Sequence, residues 1–200
     1  MLLVLWDVDG TLVDTAGHGR FAFEEAFRTV VGRDPVRVDY AGRTDHQIAL
    51  AMLDGKHDHL PRVLEELAGA LEALHARDDV VQSLLTGNIE SNAALKVSAF
   101  GLERWLDFDV GAYGSDPHER RSDLVAVARE RAATKYWDST GAVLVGDTPL
   151  DVQAAHEAQA RAVAVMTGFA DRQALLRSRP EALLEDYSDT AAAVAAITST

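Results

Sequence analysis

The chain contains no cysteine, which removes disulfides, thiolate metal sites and thiol nucleophiles together. Basic residues are scarce: 19 Lys and Arg stand against 32 Asp and Glu, a formal charge of −13. No basic cluster breaks that excess, so a nucleic-acid surface is not expected, and an anionic substrate would need a local cation. Long hydrophobic runs are missing as well. The longest, Met1–Trp6 and Ala191–Ile197, fall far below the roughly 20 residues of a membrane span. The N-terminus has no basic region ahead of its apolar run and is not read as a signal peptide. The expected setting is the cytoplasm, with neither membrane nor nucleic acid as partner. What remains is ordinary: 200 residues, 48% of them apolar, enough for one domain with an insert or for two small domains. At that length folding hides roughly 70% of the surface of the extended chain, so a real core needs no staples.

Met1–Val8 is a short apolar run ending at Asp9-Gly10 and predicts a buried strand. Similar runs recur at Val80–Leu85, Ala142–Val145 and Arg161–Met166, with helical patterns at Ser91–Phe100, Asp123–Ala133 and Leu150–Gln159 between them. Strands alternating with helices predict an α/β fold with a parallel sheet covered on both faces. The tail offers a helix near Asp171–Arg177, a stop at Pro180 and a helix over Asp189–Ile197. Gln159 sits where a helix-ending glycine is the natural choice. From about Thr15 to His75 the rhythm changes to three helical patterns, Phe21–Val31, Asp45–Leu53 and Leu60–Leu74, without a strand. A helical block inserted after the first strand predicts a lid over the sheet edge.

The polar residues fall in a telling place. Asp7-Val8-Asp9-Gly10-Thr11, Thr86-Gly87-Asn88 and Gly146-Asp147-Thr148 each follow an apolar strand at once. In an open parallel sheet the carboxyl ends of the strands share one edge, where ligands bind. Asp7, Asp9, Thr86 and Asp147 should therefore meet around one cleft, with Asp151 nearby. Two carboxylates about 4 Å apart repel by roughly 4 kcal/mol at an effective dielectric near 20. Either some keep a proton or a cation sits among them. Oxygen donors alone favour a hard ion, Mg²⁺ first. Asp7 and Asp9 are one strand period apart, which suits two carboxylates acting on opposite sides of one reacting atom.

These segments match a family. Asp7-Val8-Asp9-Gly10-Thr11-Leu12-Val13-Asp14 resembles motif I of the haloacid dehalogenase superfamily, Leu84-Leu85-Thr86-Gly87-Asn88 its motif II, and Val145-Gly146-Asp147-Thr148-Pro149-Leu150-Asp151 its motif IV. The lid after motif I resembles the helical cap of the phosphoglycolate phosphatase-like and β-phosphoglucomutase-like branch. The resemblance implies a Rossmann-like core at 1–14 and 77–200, and a helical cap, read as shortened, at 15–76. It also implies a Mg²⁺-dependent phosphomonoester hydrolase. Asp7 would be the nucleophile, forming an aspartyl-phosphate, and Asp9 the acid and base toward leaving alcohol and water. Metal ligands would be Asp7, Asp9 through its backbone carbonyl, Asp147 and Asp151. Thr86, Gly87 and Asn88 would bind phosphate at a helix start, with Gly10 and Thr11 beside them.

The branch places a Lys or Arg before the helix leading to motif IV, to offset charge on the transferring group. The usual Lys-Pro pair is absent here. Arg121 best fits a variant pattern two residues before Asp123-Leu124; Arg120 is the second choice. Lys96 is the third, placed on the surface by its position two turns into a helix. Gly42-Arg43-Thr44-Asp45 resembles the cap loop that dips toward the active site, making Arg43 a substrate-binding candidate. The expected partner is a small phosphorylated metabolite. Two alternatives stay open, a β-phosphoglucomutase-type transferase and a catalytically inactive phosphate-binding or regulatory protein.

Overall fold

The first strand, β1 (Leu2–Trp6), is apolar on both faces and must be covered on both. Val4 and Trp6 belong to one core cluster, and Leu3 and Leu5 to the opposite one. In the computed structural model, which describes residues 1–13, 65–136, 141–168 and 170–199, β1 lies within a five-stranded parallel sheet. The other strands are β2 (Val80–Leu84), β3 (Gly141–Gly146), β4 (Arg161–Val165) and β5 (Ala182–Leu184), in the order β2-β1-β3-β4-β5. The described helices are α1 (Glu65–His75), α2 (Glu90–Ser98), α3 (Arg121–Tyr136), α4 (Pro149–Glu157), α5 (Arg172–Ser178) and α6 (Thr190–Thr198). Leu71, Leu74, Val97 and Ile197 from α1, α2 and α6 pack against the Val4 and Trp6 face. Leu124, Val125, Val152 and Leu175 from α3, α4 and α5 cover the Leu3 and Leu5 face. Each layer hides the apolar stripe of its helices, as an α/β sandwich requires. Among the described residues no helix is long and apolar enough to cross a membrane.

Two features depart from the sequence expectation. β5 follows Pro180 and is only three residues long, too short to show a strand period. α1 lies within the range 15–76 read as cap, yet it packs against β2 and α6 with Ala70, Leu71 and Leu74 fully buried. Those residues cover the sheet. The cap patterns at Phe21–Val31 and Asp45–Leu53 lie outside the described residues.

The end of α4 shows why Gln159 stands out. Ala160 N donates to Ala155 O at 2.8 Å and Gln159 N to His156 O at 3.0 Å, the paired bonds of a Schellman cap. That cap needs a left-handed residue, and Gln159 adopts φ 52°. A side chain in this region costs about 1–2 kcal/mol, while glycine loses more chain entropy on folding by roughly 0.5–1 kcal/mol. Gln159→Gly is therefore expected to stabilise the fold by about 0.5–1 kcal/mol, read as a rise in Tm of about 2–3 °C. Arg129 bonds the carbonyls of Ala158 and Gln159, so that anchor survives the change.

Candidate active site

The strand order reverses at β1: the chain passes to β2 on one side and later returns to β3 on the other. At such a switch point the connections diverge and leave a crevice beyond the carboxyl ends. Asp7 leaves β1 there, its N–H donating to Val145 O at 2.9 Å. Asp147 leaves β3 directly alongside, since Trp6 and Val145 are in register. Asp151 arrives from the first turn of α4, where Thr148 and Asp151 form a capping box with Pro149 at the helix start. Asp151 Oδ2 accepts from Thr148 N at 3.0 Å and Thr148 Oγ1 at 2.6 Å, leaving Oδ1 for the crevice. One carboxylate oxygen from each of Asp7, Asp147 and Asp151 lies within 4.8 Å of the others, and all three residues are buried.

Glycines make this crowding sterically feasible. A Cβ on Gly10, which has φ +82°, would come 2.7 Å from Asp147 Oδ2, and a Cβ on Gly168 would strike the same oxygen. Burial pushes the Asp7 carboxyl up to about 7; the Arg121 charge opposes this, while Asp151 and Asp9 add to it. Asp147 is raised well above the ordinary carboxylate range by burial first, then by Asp151 and Asp7. Two buried carboxylates that favour the neutral form, with a third buried beside them, are a site that gains from a cation. Their all-oxygen donor set fits a hard divalent ion.

Arg121, the first residue of α3, supplies the one cation that touches the cluster among the described residues. Its Nη2 donates to Asp7 Oδ1 at 2.7 Å and lies 2.6 Å from Asp151 Oδ1, an ion-pair distance without hydrogen-bond alignment. Its Nε is buried with no hydrogen-bond partner among the described residues. Burial works against the guanidinium charge, but Asp151 and Asp7 outweigh it and hold the group above its ordinary value. The residue favoured from sequence is thus beside Asp7. Arg120 instead turns outward to Asp123 and Glu157.

The opposite wall comes from the turn between β2 and α2. Thr86 Oγ1 accepts from Asn88 N at 3.2 Å and Asn88 Nδ2 at 2.8 Å. A hydroxyl has two acceptor positions, so both are filled, and no acceptor for its proton is present among the described residues. That proton is free for an anion. Asn88 Nδ2 also donates to Asp9 Oδ2 at 2.7 Å. α2 begins after Ile89, whose own side chain does not cap it; Thr86 and Asn88 are spent on the crevice instead. Gly87 is buried in the same turn.

Lys96 is not the surface residue its helix position suggested. Its side chain is 16% exposed, and its Nζ donates to Asp9 Oδ1 at 2.8 Å, Asp9 Oδ2 at 2.7 Å and Asn88 Oδ1 at 2.7 Å. The Asp9 carboxylate is thereby turned away from the three-carboxylate cluster. Gly10 and Thr11, placed at the phosphate from sequence, lie beside Asp147. The Gly10 N–H donates to Val13 O at 2.9 Å, and its carbonyl accepts from Thr167 Oγ1 at 2.6 Å. Thr11, fully buried, donates its hydroxyl to Asp147 Oδ1 at 3.2 Å. Both shape and orient Asp147. Arg43 lies outside the described residues.

A family model described as HAD-hydrolase-like matches residues 122–190. The chain is 33% identical to a phosphoglycolate phosphatase of Synechococcus elongatus, over 97% of each chain. It is 27% identical to a phosphoglycolate phosphatase of Mesorhizobium japonicum, over 92% of this chain and 91% of that one. Among solved structures, a hydrolase from Pseudomonas syringae superposes with a TM-score of 0.70 at 18% identity, over 100% of each chain. Sequence likeness along the whole chain, a shared fold and aspartates converging at the switch point agree: the chain belongs to the haloacid dehalogenase superfamily, as an enzyme of its phosphatase type.

Proposed function

We propose that the protein hydrolyses the phosphomonoester of a small organic molecule, through a phosphorylated Asp7 and with bound Mg²⁺. The observation that carries this reading is the division of labour between two nearby aspartates. Asp7 is buried against Asp147 and Asp151 with a cation on one oxygen, while Asp9 is half-exposed and turned toward Thr86 and Asn88. A nucleophile belongs in the dry, charge-balanced place; an acid and base belongs where leaving alcohol and water come and go.

In the first step a carboxylate oxygen of Asp7 attacks phosphorus. The bond from phosphorus to the ester oxygen breaks, and that oxygen takes its electron pair and a proton from Asp9. In the second, water gives a proton to Asp9 and attacks phosphorus, and the bond to Asp7 breaks to return its carboxylate. Arg121 and the Thr86 hydroxyl stabilise charge on the transferring group. Mg²⁺ would be held by Asp7, Asp147, Asp151 and the Asp9 backbone carbonyl. When bound it offsets the negative charge of carboxylates and phosphoryl oxygens together. In this reading the segment taken from sequence as the cap, 15–76 with Arg43, selects the substrate.

Phosphoglycolate is the first substrate to test, because the two curated relatives described above carry that name. Phosphate release from phosphoglycolate and a panel of small phosphomonoesters is expected with Mg²⁺, lost with EDTA and restored by added Mg²⁺. Turnover that persists undiminished in EDTA would contradict the metal requirement. Purified protein that releases no phosphate from any ester of the panel would contradict the hydrolase reading.

A further inference from the structure

The Lys96 ammonium is fully committed. A lysine has three N–H donors and no acceptor, and here they meet both oxygens of Asp9 and the side-chain oxygen of Asn88, all at 2.7–2.8 Å. The arrangement fixes the Asn88 amide as well. Its oxygen must face a group that only donates, and its nitrogen must face Asp9 Oδ2 and Thr86 Oγ1, which accept. One cation thus locks two side chains, from the segments after β1 and β2, into a single orientation, and Asn88 carries the constraint on to Thr86. An ion pair between partly exposed groups contributes little to folding; Asp9 is 47% exposed. Orienting a carboxylate that must meet a leaving oxygen is a different matter, because catalysis depends steeply on its placement.

We infer that Lys96 is a positioning residue that clamps the Asp9 carboxylate against Asn88 and so sets the direction from which Asp9 exchanges protons with leaving group and water. The inference rests on the phosphatase reading above and goes beyond it. Lys96 does not touch the Asp7, Asp147 and Asp151 cluster in the way Arg121 does. Removing it should therefore damage proton transfer and spare phosphoryl attack.

Leaving groups separate those two effects. An alkyl phosphate needs a proton on its departing oxygen, whereas p-nitrophenyl phosphate releases a stable anion. For both esters kcat/KM reports formation of the Asp7 phosphoester, while kcat also includes its hydrolysis. In Lys96→Met, kcat/KM for an alkyl phosphate is expected to fall about 10–100-fold, part of the 10²–10⁴ that general acid–base catalysis supplies. For p-nitrophenyl phosphate kcat/KM should stay within about threefold while kcat falls, because water attack still needs Asp9. Asp9→Asn should reproduce this pattern more severely, and Lys96→Arg should restore part of the loss. An equal drop in kcat/KM for both esters would make Lys96 a phosphate-binding group and overturn the inference. No change in either ester would also overturn it. A crystal structure of Lys96→Met decides independently of activity: Asp9 should leave Asn88, and an Asp9 that keeps its place would refute the clamp even if no ester is turned over.

Discussion

Asp7→Asn is expected to lower phosphomonoester turnover by about 10⁴-fold or more, the scale on which enzymes lose rate when their nucleophile is removed. The fold should survive. Asparagine is nearly isosteric with aspartate and keeps an oxygen for Arg121 Nη2, which lies 2.7 Å from Asp7 Oδ1. The same variant tests the electrostatics. Burial raises the Asp7 carboxyl to about 7, above the ordinary unfolded value of about 3.9. Between those values the folded protein binds the proton that the unfolded chain has released, so stability falls as pH rises. Asp147, raised in the same direction, adds to the slope. Metal-free protein is thus expected to melt higher at pH 5 than at pH 8. Asp7→Asn should flatten that difference, and Mg²⁺ should reduce it by favouring the ionised carboxylates. A metal-free Tm that rises from pH 5 to pH 8 would contradict the raised values, and full turnover in Asp7→Asn would remove the nucleophile.

Much of this site was legible because each motif begins where an apolar strand stops. The sheet then does the assembly, since parallel strands bring Asp7 and Asp147 to one edge whatever their separation in sequence. Asp151 was legible through its likeness to motif IV; the fold adds that it closes a capping box with Thr148, so helix start and site coincide. Residue type alone leaves the Thr11 hydroxyl open, because a hydroxyl after a motif I glycine suits a phosphate and a carboxylate equally. Only the fold shows Asp147 Oδ1 at the other end of the bond. Lys96, the third candidate for the motif III cation, was placed on the surface by counting turns. Six residues past Glu90 place it about 9 Å along α2 at 1.5 Å per residue, which suggests distance from the crevice. Helical side chains lean toward the N-terminus, and a lysine long enough to reach back meets Asp9 there. A long cation one or two turns into a helix that starts at a site is a candidate for that site.

Arg121→Met should be costly, and Arg121→Lys should not. Methionine removes the one cation touching Asp7 and Asp151 among the described residues. Breaking a buried pair from one side leaves charge without compensation, at about 3–5 kcal/mol, or a fall in Tm of roughly 10 °C for a chain of this size. Turnover should drop about 10²–10³-fold with it, as when one donor to a developing anion is lost. Arginine and lysine are not generally exchangeable, because the guanidinium fork commonly binds with two nitrogens at once. Here the fork is not used. Nη2 alone meets Asp7 Oδ1 at 2.7 Å and Asp151 Oδ1 at 2.6 Å, and Nε is buried without a hydrogen-bond partner among the described residues. A single ammonium can replace a single nitrogen, and the exchange also removes an unsatisfied N–H, itself worth about 1–3 kcal/mol. Arg121→Lys is therefore expected to keep turnover within about tenfold of the original and to match or exceed its Tm. Thermal melts and steady-state kinetics of the two variants side by side decide the point. A lysine variant as damaged as the methionine one would mean that the shape of the guanidinium, not its charge at one atom, holds the aspartates together.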